Sequence, residues 1–508
     1  MISITDEVIL QSLQDLTEDS EELEYLSIFA RAKIDKFISE IGKAKKYLKT
    51  TSYNAALKEA LRLKINLEKQ KKYLETVKQA TEKSRPTLNL IQKLSDIKNE
   101  QFELIRIYYG ISGSIVTSLD WQSPSFAASL YSHAGKQTGK IKGTINDYKR
   151  DVHLDEKEYE EQFLKEYIDA PFKLGIHVYM TASGQSAFTT ILNFLLMEGK
   201  INGKVILGKS SYFQYKQLLI SAFSTPGEST SATPGVSSGP SLIEIDESDT
   251  EGIIQTIKNN RPGAIFLDSL CNAKDIPVPD LPRILDYLTK EHKQELNFII
   301  DNTCLSIAFQ PFKKLFPFPG KIRLFVFESL MKYHHFGLDR ATGGIIASYG
   351  GDTQKLFDYR KHSGTNITDA SVYMFPLPNR KMLEQRLKRF QRNASYLSFS
   401  LRDYLLTYPN GKIEKIVYPG QGSFFNVGFK KKNIGKYKQF INIVISEAKK
   451  RGIQIVGGTS FGLNNTRIYL TSLWTKYGEP FVRVSVGTEN RYQLEILKEI
   501  FESAIDKI

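Results

Sequence analysis

Two ionisable residues in apolar surroundings carry the first chemical signal in this sequence. The segment Phe298–Gly344 places Asp301 at the end of one apolar strand and Lys332 in a second, thirty-one residues later. A carboxylate and an amine so placed suit an electron-sink cofactor such as pyridoxal phosphate. The carboxylate keeps a pyridine nitrogen protonated, and the amine holds the cofactor's aldehyde as a Schiff base. The structural alternative makes Asp301 a strand-end cap and Lys332 a snorkelling surface lysine. Against it stands the apolar flank LFVFE, since a lysine held in such surroundings has the lowered pKa that Schiff-base chemistry requires.

Other residues follow in an order that supports this chemistry. In Val178–Ala187, VYMTASGQSA, a strand runs through Ser-Gly into a helix, and the backbone N–H groups at such a turn suit a phosphate. Taken alone, Ser-Gly is equally an ordinary helix cap. Tyr212, then Asn272 behind GAIFLDSLC, then Asp301, Lys332 and Arg483 complete the order.

With these residues assembled, the chain resembles the cystathionine γ-synthase and methionine γ-lyase group, the Cys/Met metabolism family of pyridoxal phosphate enzymes, over about residues 145–508. Ile299–Thr303 matches the strand motif ending in DNT, which implies that Asp301 pairs with the pyridine nitrogen. Ser329, Leu330, Met331, Lys332 and Tyr333 match S-x-T-K-Y, implying the Schiff base on Lys332 and a phosphate contact from Ser329. The turn Ser183–Ala187 resembles SGMAA, so Ser183, Gly184, Gln185 and Ser186 are expected around the phosphate. Tyr212 takes the place of the aromatic that stacks on the cofactor ring and assists catalysis. Asn272 stands where E-x-P-x-N ends, near the phenolic oxygen. RVSVGTE resembles RLSVGIE and makes Arg483 the clamp on a substrate carboxylate. SFGLNNT can be laid on S-L-G-G-x-E-S, which puts Ser460 beside the lysine. Tyr148 and Arg150 in DYKRDV are similar to the Y-S-R motif that reaches a neighbouring subunit's phosphate.

The chain also departs from the family pattern. Met331 replaces a Thr, Asp268 replaces the Glu of E-x-P-x-N, and His334 and His335 stand where small residues are usual; Asp339 keeps the Asp of G-H-S-D without its Gly-His. The resemblance implies a fold type I, pyridoxal phosphate-dependent lyase or transferase of amino-acid metabolism. It would act by elimination or replacement at Cβ or Cγ of a sulfur-containing or O-activated amino acid, as a homodimer or homotetramer. The alternatives are another reaction of the same cofactor (α-oxoamine synthesis, aldol cleavage or decarboxylation) or a non-catalytic scaffold on a decayed cofactor domain.

The elements that must position these residues follow from patterning. Residues 1–115 have apolar positions at helical spacing, as in Leu57, Leu61 and Ile65, and predict a helical extension. Residues 116–375 alternate short apolar runs (GIHVYM, KVILG, SLIEI, GAIFLD, NFIID, RLFVFES) with amphipathic stretches, predicting an α/β domain around a mostly parallel sheet with flanking helices. Within it, residues 225–241 read as a mobile surface insertion rich in Pro, Gly, Ser and Thr. Residues 376–508 predict a smaller α+β domain, with a ligand cleft between the two.

Composition narrows the function class. A chain of 508 residues with 41% hydrophobic content can build two or three cores. Its net charge of +13 is spread along helix-like segments with Glu interleaved, which argues for solvated faces and against a nucleic-acid surface. Two cysteines, Cys271 and Cys304, cannot make a disulfide framework or a thiolate cluster, and the seven His show no zinc-type spacing, so no metal is expected. With no long apolar segment, a cytoplasmic protein without membrane contact is expected.

Overall fold

The computed structural model describes residues 5–44, 51–83, 87–117, 154–223, 241–431, 433–471 and 479–508. Tyr148, Arg150 and all of the expected insertion except Ser241 lie outside these residues. Three long helices open the chain, α1 (Asp6–Ala44), α2 (Thr51–Lys83) and α3 (Leu88–Thr117). The expected stripe on α2 is not the buried one. Leu61 and Ile65 are 44% and 52% exposed, whereas Ala60, Leu63 and Leu67 are buried. The helix carries two apolar stripes, and its contacts with α1 and α3 select the second.

After α4 (Leu154–Tyr167) the chain alternates strand and helix: β1 (Ile176–Thr181), α5 (Gly184–Met197), β2 (Val205–Gly208), α6 (Phe213–Phe223), β3 (Leu242–Ile245), α7 (Thr250–Asn260), β4 (Ala264–Asp268), α8 (Leu281–Lys290), β5 (Leu296–Asp301), the single turn α9 (Pro311–Lys314), β6 (Ile322–Ser329) and β7 (Gly344–Tyr349). The seven strands lie in the order β1-β7-β6-β5-β4-β2-β3, and β7 alone runs antiparallel to its neighbours. β4 is buried along its whole length, as a central strand covered by helices on both faces must be. This is the fold type I arrangement expected from the sequence, an α/β layer with a smaller sheet following it.

The short helices α10 (Leu356–His362) and α11 (Asp369–Met374) lead to α12 (Arg380–Thr407). Asn379 caps α12 by accepting from the Met382 N–H at 3.2 Å. Leu383 and Phe390 at its start join the apolar core of the large sheet; Ala394, Leu397 and Leu401 join that of the small one. The small sheet, ordered β10-β11-β12-β9-β8, comprises β8 (Ile413–Val417), β9 (Phe424–Phe429), β10 (Val456–Gly457), β11 (Arg467–Thr471) and β12 (Phe481–Ser485). It packs against α13 (Ile434–Lys450) and α14 (Arg491–Lys507). Among the described residues no helix is long and apolar enough to cross a membrane.

Candidate active site

The carboxyl ends of β4, β5 and β6 open on a cavity of about 970 Å³, closed on the far side by β11, β12 and the 459–461 segment. Ligands of parallel α/β sheets bind at such strand ends. The wall brings together Ser183, Gly184, Gln185, Tyr212, Asn272, Asp301, Ser329, Lys332, Ser460 and Arg483. Ser186 is one step behind it. Its N–H donates to Ser183 Oγ at 3.0 Å, and its hydroxyl is also 3.0 Å from that oxygen.

Asp301 ends β5 and faces Asp268 in register on β4. The Thr303 N–H donates to Asp301 Oδ1 at 2.9 Å. Burial pushes the Asp301 carboxyl up to about 6, against the hydrogen bonds from Thr303 and the nearby charge of Lys332. Burial and then the charge of Asp301 push Asp268 well above the usual carboxylate range. Asp268 Oδ2 accepts from the Tyr212 N–H at 3.1 Å. Two neighbouring carboxylates do not both ionise cheaply. Asp301 has Thr303 and Lys332 to favour its anion, so Asp268 takes the proton and Asp301 is the carboxylate of the site.

Lys332 lies beyond the end of its strand, not within it. Pairing of β6 with β7 stops at Ser329 and Gly344, and the chain then turns and presents the amine beyond the carboxyl end of β6. Lys332 Nζ is 2.8 Å from Ser460 Oγ. Burial, followed by the positive charge of Arg483, lowers its amine to about 8. Arg483 on β12 donates from Nη1 to Asn272 Oδ1 at 3.0 Å and from Nη2 to the Ser460 carbonyl at 3.4 Å. Its buried Nε has no hydrogen-bond partner among the described residues. The Tyr212 hydroxyl donates to Gln214 Oε1 at 2.9 Å, and burial, with Asp301 adding to it, raises the phenol above its usual range.

At the other end, α5 starts against Ser329. A Cβ on Gly184 would come within 2.8 Å of Ser329 Cβ, so only glycine allows the helix start to approach this closely. Ser183 caps the helix through Ser186, leaving the N–H groups of Gly184 and Gln185 without helical acceptors. A carboxylate, an amine, an aromatic side chain and a glycine-bearing helix start thus line one cavity. These residues fit pyridoxal phosphate: Asp301 for the ring nitrogen, Lys332 for the aldehyde, Tyr212 for the ring, and Ser183, Gly184, Gln185 and Ser329 for the phosphate.

His334 and His335 do not reach the cavity wall. His334 Nε2 is 2.8 Å from Glu328 Oε2 and 3.1 Å from Ser306 Oγ. His335 Nε2 is 2.7 Å from the Met331 carbonyl, and its Nδ1 accepts from the Gly337 N–H at 2.9 Å. Burial lowers its imidazole to about 4, so the ring is neutral, with the proton on Nε2. Asp339 is exposed. Some wall residues went unread in the sequence. Cys304, half-buried, is on the wall. Tyr469 and Thr471 project to the cavity from alternate positions of β11, a period-two signal present in RIYLT. Lys274 bonds Glu479 across the wall at 2.9 Å.

Comparison with known proteins gives the family and the fold. Residues 120–464 match the model of the Cys/Met metabolism PLP-dependent enzyme family. The bifunctional enzyme flvA of Aspergillus flavus is 22% identical over 357 residues, 68% of this chain, and the chain spans 41% of that relative's length. The cystathionine gamma synthase of Xanthomonas oryzae pv. oryzae, in complex with cystathionine, superposes with a TM-score of 0.54 at 16% identity, covering 72% of this chain and 91% of that one. CalE6, a methionine gamma lyase from Micromonospora echinospora, gives 0.52 at 17% identity, over 70% and 88% of the two chains. These superpositions show a shared fold, and the family match extends over most of this sequence: the chain belongs to the Cys/Met metabolism family of pyridoxal phosphate-dependent enzymes.

Proposed function

We propose that the protein catalyses elimination or replacement at Cβ or Cγ of a sulfur-containing or O-activated amino acid, with Lys332 as the residue that binds the cofactor covalently. The observation that carries this reading is the presence of Arg483 in the same cavity as Lys332 and Asp301. A guanidinium there offers a bidentate clamp for the carboxylate of an amino acid. When bound, pyridoxal phosphate supplies the electron sink for cleavage at Cα. Arg483 would release Asn272 and take the substrate carboxylate. Lys332, with its amine lowered to about 8, would accept the Cα proton and return it at a later carbon. The Tyr212 phenol, raised and therefore protonated near neutrality, would give a proton to the departing group. Asp301 would hold a positive charge at the cofactor ring. The names of the similar structures support the substrate class: one is bound to cystathionine, and a cystathionine gamma-lyase from Lactobacillus plantarum is complexed with L-serine.

The test is direct. Protein supplied with pyridoxal phosphate should gain a visible absorption band that Lys332→Ala lacks. Incubation with cystathionine, O-acylhomoserines, methionine or cysteine should release α-keto acid or yield the replacement product. A colourless wild type, or amine and carbon dioxide as the products, would sink the reading. We further propose a homodimer or homotetramer in which Tyr148 and Arg150 complete the neighbour's phosphate end. Light scattering that finds only monomer at micromolar concentration would exclude it.

A further inference from the structure

Ser460, the partner of the Lys332 amine, is held by a chain of contacts that ends in the N-terminal helices. Its backbone is at φ +79°, a left-handed conformation that a non-glycine residue keeps only when its surroundings impose it. The next turn of this segment is pressed onto the lysine itself. A Cβ on Gly462 would lie 2.4 Å from the Lys332 carbonyl oxygen and 2.9 Å from Tyr333 Cδ1. From the other side the segment is held by Arg386 of α12. Arg386 Nη2 donates to the Gly462 carbonyl at 3.1 Å and to Asn464 Oδ1 at 2.6 Å.

Arg386 is itself buried, its side chain 1% exposed, and among the described residues it pairs with one carboxylate: Nη1 donates to Glu22 Oε1 of α1 at 2.7 Å. The same guanidinium lies against the loop that follows Lys332. A Cβ on Gly337 would be 3.0 Å from Arg386 Nη2 and 2.3 Å from Asn464 Oδ1, and the Arg386 guanidinium carbon sits 6.0 Å from the Phe336 ring centroid. The N-terminal helices brace that loop again through Tyr25, whose ring is 5.3 Å from Phe336, and Arg106, whose Nε donates to the Leu338 carbonyl at 3.0 Å. Glu22 lies outside residues 120–464, the part of the chain that matches the family model.

From this geometry we infer that Arg386 is a positioning residue for the Lys332–Ser460 contact and that Glu22 orients it, which makes the N-terminal helices a working part of the active site. The inference rests on the cofactor reading above for its affinity and dichroism arms, and the cleavage arm stands without it. A guanidinium without Glu22 would be a buried charge short of its counter-ion and would shift toward solvent or another carboxylate. The carbonyl of Gly462 and the amide of Asn464 would then lose their donor, and the strained turn at Ser460 would relax away from Lys332.

The test uses full-length Glu22→Gln, Ser460→Ala, the double variant and Arg386→Lys. Glu21→Gln, which removes a charge paired with Lys381 from the same helix, is the control. Three quantities are read: the dissociation constant of pyridoxal phosphate, the visible circular dichroism of the Lys332-dependent band, and the rate of proteolytic cleavage within residues 457–466 of cofactor-free protein. Glu22→Gln and Ser460→Ala should each weaken cofactor retention on the order of tenfold and change the visible dichroism. The double variant should be no worse than the stronger single one, because both act through one contact although the two residues do not touch. Glu22→Gln and Arg386→Lys should also speed cleavage of the 457–466 segment, and Glu21→Gln should leave all three readings at the wild-type value. Additive effects in the double variant would overturn the inference. So would a Glu22→Gln protein that melts earlier but keeps wild-type dichroism, affinity and cleavage. If the double variant does not fold, the cleavage rates of Glu22→Gln and Arg386→Lys decide alone. A colourless wild type would refute the cofactor reading and leave the cleavage arm to judge the bracing of Ser460; a coloured wild type with an unaltered Glu22→Gln refutes only this inference.

Discussion

Placing Lys332 and Asp301 in one buried cavity works against the charged form of each, with different consequences. For Lys332, burial and Arg483 bring the amine to about 8, where an ordinary lysine stays protonated until about 10.4. The rate of covalent attachment of pyridoxal phosphate should therefore rise with pH through about 8 and level off. Stopped-flow absorbance against pH checks this, and a midpoint near that of free lysine would contradict it. For Asp301, the native state binds its proton more tightly than the unfolded chain, since its pKa is raised from 3.8 to about 6. Stability is then lower above pH 6 and recovers as pH falls from 6 toward 3.8. Asp301→Asn should stabilise the cofactor-free protein at pH 7 by about 2 kcal/mol, discounting two pKa units for the edge open to the cavity, while abolishing turnover. Urea denaturation at pH 7 and pH 5 should show a gain that is about halved at the lower pH. Both residues were legible in the sequence because each sits in a short contiguous motif. Arg386 and Glu22 were not, because 364 residues separate them and nothing local marks an arginine whose partner is a helix elsewhere.

Strands that end at the cavity were readable for a similar reason. β4, β5 and β6 are buried on both faces, so they read as unbroken apolar runs, and their carboxyl ends carry the motif residues. β7 and β11 escaped notice. GIIASY is only six residues long and begins with glycine, and RIYLT alternates polar with apolar because one face looks into the cavity and the other into the small-sheet core. The glycine that opens β7 has a positional reason. A Cβ on Gly344 would come 2.1 Å from the Ser183 carbonyl oxygen, so β7 and the start of α5 meet backbone to backbone. Gly184 makes the matching approach on the other side, against Ser329. Gly184→Ala adds no bulk to a core; it pushes apart the two pieces that would grip the phosphate. The variant should stay folded, at a cost of about 1–3 kcal/mol for overpacking, and lose cofactor affinity far more than stability. Equilibrium dialysis against melting temperature separates the two, and retention of wild-type affinity would remove this segment from the proposed phosphate site.

The N-terminal helices and the large sheet share one apolar core, with Leu26, Ile34 and Tyr109 in the same cluster as Phe298 and Leu324. Charge reinforces that union. Acidic residues one turn apart on α1 meet arginines one turn apart on α12: Asp15 with Arg392 at 2.8 Å, Glu18 with Arg389 at 2.9 Å, and Glu22 with Arg386 at 2.7 Å. These pairs differ in value according to burial. Lys381 and Glu21 are exposed, and such pairs contribute within about 1 kcal/mol. Asp15 is fully buried, and besides Arg392 it accepts from the backbone N–H of Arg491 at 2.9 Å, at the start of α14. It therefore ties α1 to both α12 and α14. Removing Asp15 leaves Arg392, 35% exposed, to solvent and Arg389 to Glu18, but it strips the Arg491 N–H of its acceptor, which costs about 1–3 kcal/mol. Asp15→Ala should lower the unfolding free energy by that amount, with Glu21→Gln nearly neutral. Because the core is continuous across α1 and the large sheet, the loss should appear as one displaced transition in helical and aromatic signals together. Two separated transitions, with the large sheet melting as in wild type, would show that the helices are held on more loosely than this packing requires, and would weaken any role for them at Lys332.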